Sequence, residues 1–91
     1  MKIRIRVLIS GRVQGVLFRS ETRKIANNLN IKGWVRNLPD GRVEVLAEGE
    51  KDHINNLIEF LKKGPPAARV DKVNLKIEDY KDEFKDFDIK Y

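Results

Sequence analysis

Two stretches of the chain repeat their apolar residues at helical spacing, and each is bracketed by stretches that repeat them at every second position. That order of periods constrains the fold more tightly than any single residue does. From Lys2 to Ser10, Ile3, Ile5, Val7 and Ile9 share one face while Lys2, Arg4, Arg6 and Leu8 share the other. The alternation predicts a half-buried strand. The segment Gly11 to Gly15 breaks it. Phe18, Thr22, Ile25, Ala26 and Leu29 then fall at helical spacing, which predicts a helix from about Phe18 to about Asn30. Gly33 follows where a helix exit commonly uses glycine.

Trp34–Asn37 and Arg42–Glu48 are short β-prone runs joined by Leu38-Pro39-Asp40-Gly41. Proline fixes φ and glycine accepts positive φ, so the join predicts a hairpin with Val43, Val45 and Ala47 facing the core. Ile54, Leu57, Ile58 and Leu61 obey the i, i+3, i+4, i+7 rule, and Gly64-Pro65-Pro66 stops that second helix. Val73, Leu75 and Ile77 alternate as a fourth strand, and Phe87, Ile89 and Tyr91 make a short last one. The order is βαββαβ plus a short C-terminal strand. It predicts an α+β, ferredoxin-like open-faced sandwich, an antiparallel sheet with two helices on one face. The other face, carrying Lys2, Arg4 and Arg6, is expected to stay open to water.

Ninety-one residues, 41% hydrophobic and 36% charged, fit one soluble domain over 1–91. The absence of cysteine excludes a disulfide framework, a Cys-ligated zinc site and a thiol nucleophile. A single histidine, His53, excludes a His-rich metal site. The longest purely apolar runs, such as Val7-Leu8-Ile9, cannot span a membrane, so a cytoplasmic monomer without membrane partners is expected.

Charge is distributed unevenly. From Met1 to Asn37, nine Lys or Arg face Glu21 as the sole acid, whereas the remainder is net negative. The first third therefore points toward an anion: nucleic acid, a phosphorylated metabolite or a membrane surface. The segment Gly11-Arg12-Val13-Gln14-Gly15-Val16 lies between a strand and a helix. Its two glycines either form a turn only or let backbone N–H groups converge on an anion at the helix N-terminus. Arg19 sits beside that turn, where a guanidinium can pair bidentately with phosphate. Arg23 and Lys24 read as solvated cations. Asn37 ends a strand, an unfavourable place for asparagine. It either starts the turn before Pro39 or offers a carboxamide that donates to a substrate oxygen and accepts from a water. His53 reads as facing solvent, Trp34 as packing, and Glu78 to Asp88, interleaved with lysines, as a solvated face.

In combination these residues resemble the acylphosphatase signatures. The resemblance is carried by Gly11-Arg12-Val13-Gln14-Gly15-Val16, Phe18-Arg19, Gly33-Trp34-Val35-Arg36-Asn37 and Asp40-Gly41. Gly49, Gly64-Pro65-Pro66, Ala68, Val70, Val73 and Phe87-Asp88-Ile89 extend it over nearly the whole chain. It implies a ferredoxin-like fold and a hydrolase that cleaves acyl phosphates to a carboxylate and inorganic phosphate, with no metal and no cofactor. It further implies that Arg19 and the amides of Gly11 to Val16 bind phosphate while Asn37 positions the water. Inorganic phosphate is then both product and inhibitor. Leu38 stands where many animal members carry a hydroxyl residue. The chemistry is self-consistent: the leaving carboxylate has a conjugate acid of pKa about 4, so it departs without a proton. Transfer to water through a loose transition state then depends on positioning and charge.

The competing reading is a small basic RNA- or anion-binding module on the same scaffold. Base stacking needs aromatic residues on the central strands, and Arg42–Glu48 has none. Nucleic acid is accordingly not expected as a partner.

Overall fold

The computed structural model describes residues 1–91. In chain order the elements are β1 (Lys2–Arg12), α1 (Phe18–Asn28), β2 (Lys32–Asn37), β3 (Val43–Glu50), α2 (Lys51–Lys63), β4 (Arg69–Glu78) and β5 (Phe87–Ile89). They build one sheet of order β4-β1-β3-β2-β5. The α+β sandwich expected from the periodicities is the fold observed. No helix is long and apolar enough to cross a membrane.

The register explains the core. Ile5, Val7 and Ile9 of β1 stand opposite Ala47, Val45 and Val43 of β3, and Val35 of β2 stands opposite Val45. All of these are buried, as are Phe18 and Ala26 of α1 and Ile54, Leu57 and Leu61 of α2, which pack into the same cluster. Each large apolar side chain so buried contributes about 1.5–3 kcal/mol relative to exposure. The rings of Phe18 and Phe60, one from each helix, meet at 6.0 Å and close the layer.

Three features depart from the sequence reading. The sheet is not wholly antiparallel, because β5 pairs parallel to β2. β4 ends at the end of the sheet where β2 begins, so a chain reaching the far edge from there runs alongside β2 in the same sense. The first strand does not stop at Ser10 but continues through Gly11 and Arg12 after a register shift against β4. The exit from α1 is made by Asn30 at φ 54°, and Gly33 lies within β2.

The outer face of the sheet is also not open to water. Arg4 is only 5% exposed, Glu44 6% and Glu48 3%. The chain between β4 and β5 folds over this face, with the backbone N–H groups of Lys81 and Glu83 donating to Glu48 at 2.8 and 3.3 Å. Arg4 donates to Glu48, Glu78 and Glu83, and its guanidinium lies 5.5 Å from the Phe84 ring centroid. Arg6 bonds Glu44 at 2.8 Å and Glu78 at 2.9 Å, and Arg36 bonds Glu44 at 2.7 Å. The stretch from Glu78 onward, expected as a solvated face, thus supplies carboxylates to buried cations. Three of the nine cations of the first third, Arg4, Arg6 and Arg36, are thereby paired across the sheet.

Candidate active site

The site begins where β1 leaves the sheet. Gly11 adopts φ +128°, and a Cβ there would stand 2.1 Å from the Arg69 carbonyl oxygen of β4. Only glycine permits that approach. Gly11 and Arg12 therefore belong to the strand end, with the Arg12 side chain exposed, and the loop proper runs from Val13 to Leu17. Val13 and Val16 are buried and pin the loop to the core. Gly15 turns it at φ +75° with open space around the missing Cβ. Leu17 then takes a left-handed conformation, φ 67° and ψ 19°, which costs a leucine about 1–2 kcal/mol.

This path leaves a run of unused donors. None of the backbone N–H groups from Gln14 to Ser20 donates within the chain, and the first helical bond closes from Glu21 N–H to Leu17 O at 3.0 Å. Helix α1 has no side-chain cap either. Its positive end is thus presented by free amides next to the loop.

Asn37, the last residue of β2, is brought to the same place. Its Oδ1 is buried and has no hydrogen-bond partner. A buried carbonyl-type oxygen left unpaired costs about 1–3 kcal/mol, so such an atom is exceptional. The join between loop and hairpin is made by Gln14, whose Nε2 donates to the carbonyls of Leu38 at 2.8 Å and Arg42 at 3.0 Å. Both amide protons of Gln14 are spent on the turn that follows Asn37. The sequence marks Gln14 only as a loop residue and carries no sign of this use of its side chain.

Arg19 completes the group. Five of the eight arginines, Arg4, Arg6, Arg36, Arg42 and Arg69, hold a carboxylate. Arg19 holds none, and its guanidinium lies 5.2 Å from the Tyr91 ring centroid. Val13, Gly15, Arg19 and Asn37 line one cavity of about 440 Å³, together with Leu17, Phe18, Ser20, Ile89 and Tyr91. No Asp, Glu, His or Cys side chain lines it. Of the residues picked out in the sequence, the structure brings Val13, Gly15, Arg19 and Asn37 together and seats Gln14 and Val16 behind them. Gly11 and Arg12 stay on the strand. Leu17, Ile89 and Tyr91 were not foreseen as site residues. The last two reach the cavity because β5 is a parallel edge strand beside β2, which period alone does not specify.

The carboxylates that are perturbed lie away from this cavity. Burial pushes the Glu44 carboxyl up, but hydrogen bonds from Arg36 and Arg6 outweigh it and hold it below the ordinary glutamate range. The Glu78 carboxyl is held low by its hydrogen bond from Arg6, against burial and with help from Arg4. His53 is half-buried in a separate cleft whose walls carry both signs, including Lys2, Lys32, Glu48 and Glu50. Trp34 packs between two cations, Lys90 at 4.7 Å and Arg36 at 4.9 Å from its ring.

Comparison with known proteins agrees with this architecture. The family model for acylphosphatase matches residues 5–89. An acylphosphatase from Acaryochloris marina is 53% identical over 85 residues, which cover 93% of this chain and 90% of that protein. The solved acylphosphatase from Coxiella burnetii superposes with a TM-score of 0.92 at 45% identity, covering 98% of this chain and 93% of the other. That from Bacillus subtilis gives 0.93 at 35% identity, covering 98% and 99%. The signatures around the loop and the end of β2, the sheet order and these matches across nearly the full length converge: the chain belongs to the acylphosphatase family of hydrolases, with its ferredoxin-like fold.

Proposed function

We propose that the chain hydrolyses the carboxyl–phosphate bond of acyl phosphates, using Arg19 and the free loop amides to bind the phosphoryl group and Asn37 to orient the attacking water. The observation that carries this reading is that Asn37, whose Oδ1 is buried and unpaired, lines the cavity that Arg19 enters without an acidic partner. A water held by the Asn37 carboxamide at the cavity wall is aimed at phosphorus. The water oxygen forms the new P–O bond as the bond to the acyl oxygen breaks. The carboxylate leaves with the bonding pair, and the water's proton passes to a phosphoryl oxygen.

Arg19 and the amides meet the equatorial phosphoryl oxygens, where charge is spread in the transition state. No general acid is required, because a carboxylate leaves unprotonated; this matches a cavity lined by no Asp, Glu, His or Cys side chain. Inorganic phosphate, sharing the phosphoryl contacts, acts as a competitive inhibitor. The RNA-binding alternative is disfavoured because Arg4 and Arg6, the cations it needs, are held by Glu44, Glu48, Glu78 and Glu83.

The test is the decay of acetyl phosphate in the presence of EDTA, with an alkyl phosphate as control. Hydrolysis of the acyl phosphate alone, undiminished by the chelator, is expected. Loss of activity in EDTA that magnesium restores, or equal turnover of the alkyl phosphate, overturns the mechanism.

A further inference from the structure

Leu17 is the odd residue of the cavity. It is 74% exposed, and its backbone is left-handed, a conformation that glycine or asparagine adopts with less strain. Its carbonyl starts the helix, a task that any residue performs equally well. The side chain belongs to no core cluster and lines the cavity that holds Arg19 and Asn37. Ile89 and Tyr91 line the same cavity from the other end of the chain, and the Tyr91 ring lies against the Arg19 guanidinium. Polar groups that can hold a phosphoryl group therefore share one cavity of about 440 Å³ with the exposed Leu17 and Tyr91 and the half-buried Ile89, far more space than a two-carbon acyl group fills.

We infer that Leu17, with Ile89 and Tyr91, forms an apolar lip that receives the acyl group and selects acyl phosphates whose acyl chain is apolar and longer than acetyl. This rests on the acyl phosphate reading above and extends it to the part of the substrate that does not react. With the phosphoryl end held by amides and Arg19, the acyl carbon must project along the cavity wall, where water on Leu17, Ile89 and Tyr91 is displaced by methylene groups. Contacts made to remote parts of a substrate appear as discrimination in kcat/KM.

The test compares acetyl, butyryl and hexanoyl phosphate, whose leaving carboxylates differ little in basicity, so chain length varies almost alone. In parallel, binding of acetylphosphonate and hexanoylphosphonate, which cannot be hydrolysed, is measured by calorimetry. The native chain is expected to favour hexanoyl over acetyl by about tenfold or more in both kcat/KM and Kd, below the range of a fully enclosed pocket. Leu17→Asn keeps a residue that tolerates the left-handed backbone and should bring both ratios to within about threefold. Leu17→Phe should preserve or raise them. Equal rates and affinities across chain lengths in the native chain overturn the lip, as does a parallel fall for all substrates in Leu17→Asn. Absence of hydrolysis with the phosphonate contrast intact, and abolished by Leu17→Asn, overturns the hydrolytic reading and upholds the lip.

Discussion

On the proposed mechanism three side chains divide the work of the site, and each predicts a different kinetic signature. Arg19 carries charge. Arg19→Ala should lower kcat/KM at least about 10²-fold, the scale for losing one donor to developing charge, and should weaken inhibition by phosphate. Arg19→Lys should rescue little because an ammonium lacks the planar fork. Arg23, exposed on the same helix, should tolerate alanine, and the opposite ranking of the two arginines refutes the assignment. If Asn37 orients the water without holding phosphate, as proposed, Asn37→Ala should cut kcat by about 10²-fold while phosphate inhibition changes little. Full activity in a folded Asn37→Ala chain removes it from the mechanism. The Gln14 side chain is spent elsewhere; it ties the loop to the carbonyls of Leu38 and Arg42. Gln14→Leu leaves those carbonyls without its two donors and frees the loop to shift against Asn37. A displacement of about 1 Å can cost up to about 10²-fold. The expected result is a fall in kcat measured well below Tm, and unchanged kcat in a stable Gln14→Leu chain shows the tether to be structural only.

At the scale of elements, the loop is only as well placed as the strand that launches it. Gly11 lets β1 run against β4 up to Arg12, with the Arg69 carbonyl where a Cβ would be. Gly11→Ala should therefore destabilise by about 2–3 kcal/mol in urea denaturation, since positive φ and a backbone clash act together. Gly15→Asn, with open space around it, should fold with little loss. A fully stable Gly11→Ala chain contradicts this account of the strand end. Reading Gly11 as part of an anion-binding turn followed from its spacing to Gly15, and spacing does not reveal that β4 passes beneath it. Apolar period identified the strands and helices with small errors at their ends, because alternation records which face is buried. It could not show the parallel pairing of β5, which depends on where the chain after β4 crosses the sheet. Arg19 and Asn37 stand out in the sequence because each is chemically out of place, a cation in the first turn of a helix and an amide in a strand, and the structure lines one cavity with both. Leu17, Ile89 and Tyr91 do not stand out, because apolar residues at those positions look like packing until the tertiary path is known.

Across the whole molecule, the sheet keeps its two faces apart by different physics: an apolar layer under the helices and an ion-pair network under the chain that joins β4 to β5. A buried ion pair is weak support for stability unless its hydrogen bonds are satisfied, and here they are shared among several partners. Glu44 accepts from Arg6 and Arg36, and Glu78 accepts from Arg4 and Arg6. Their carboxyls are therefore held below the ordinary range, and the sign of the linkage follows. A depressed carboxyl binds its proton less readily in the folded chain than in the unfolded one. Its contribution is present in full above the unfolded-state value, about 4.3 for glutamate, and is lost as pH falls through the lower folded-state value. Asp88 acts in the opposite sense, since its hydrogen bond with Asp86 raises its carboxyl, but it lies on the exposed edge. The native chain should keep its urea midpoint from pH 7 down to about 5 and lose stability steeply below the glutamate range. Glu44→Gln should be less stable at pH 7 by about 1.5–3 kcal/mol, the scale for hydrogen bonds to charged groups. It should also lose less on going to pH 3, because the group that titrates has been removed. Two curves that stay parallel from pH 7 to pH 3 show that Glu44 is not linked to folding through its proton, and leave Glu78 as the carboxyl of this face that carries the acid sensitivity.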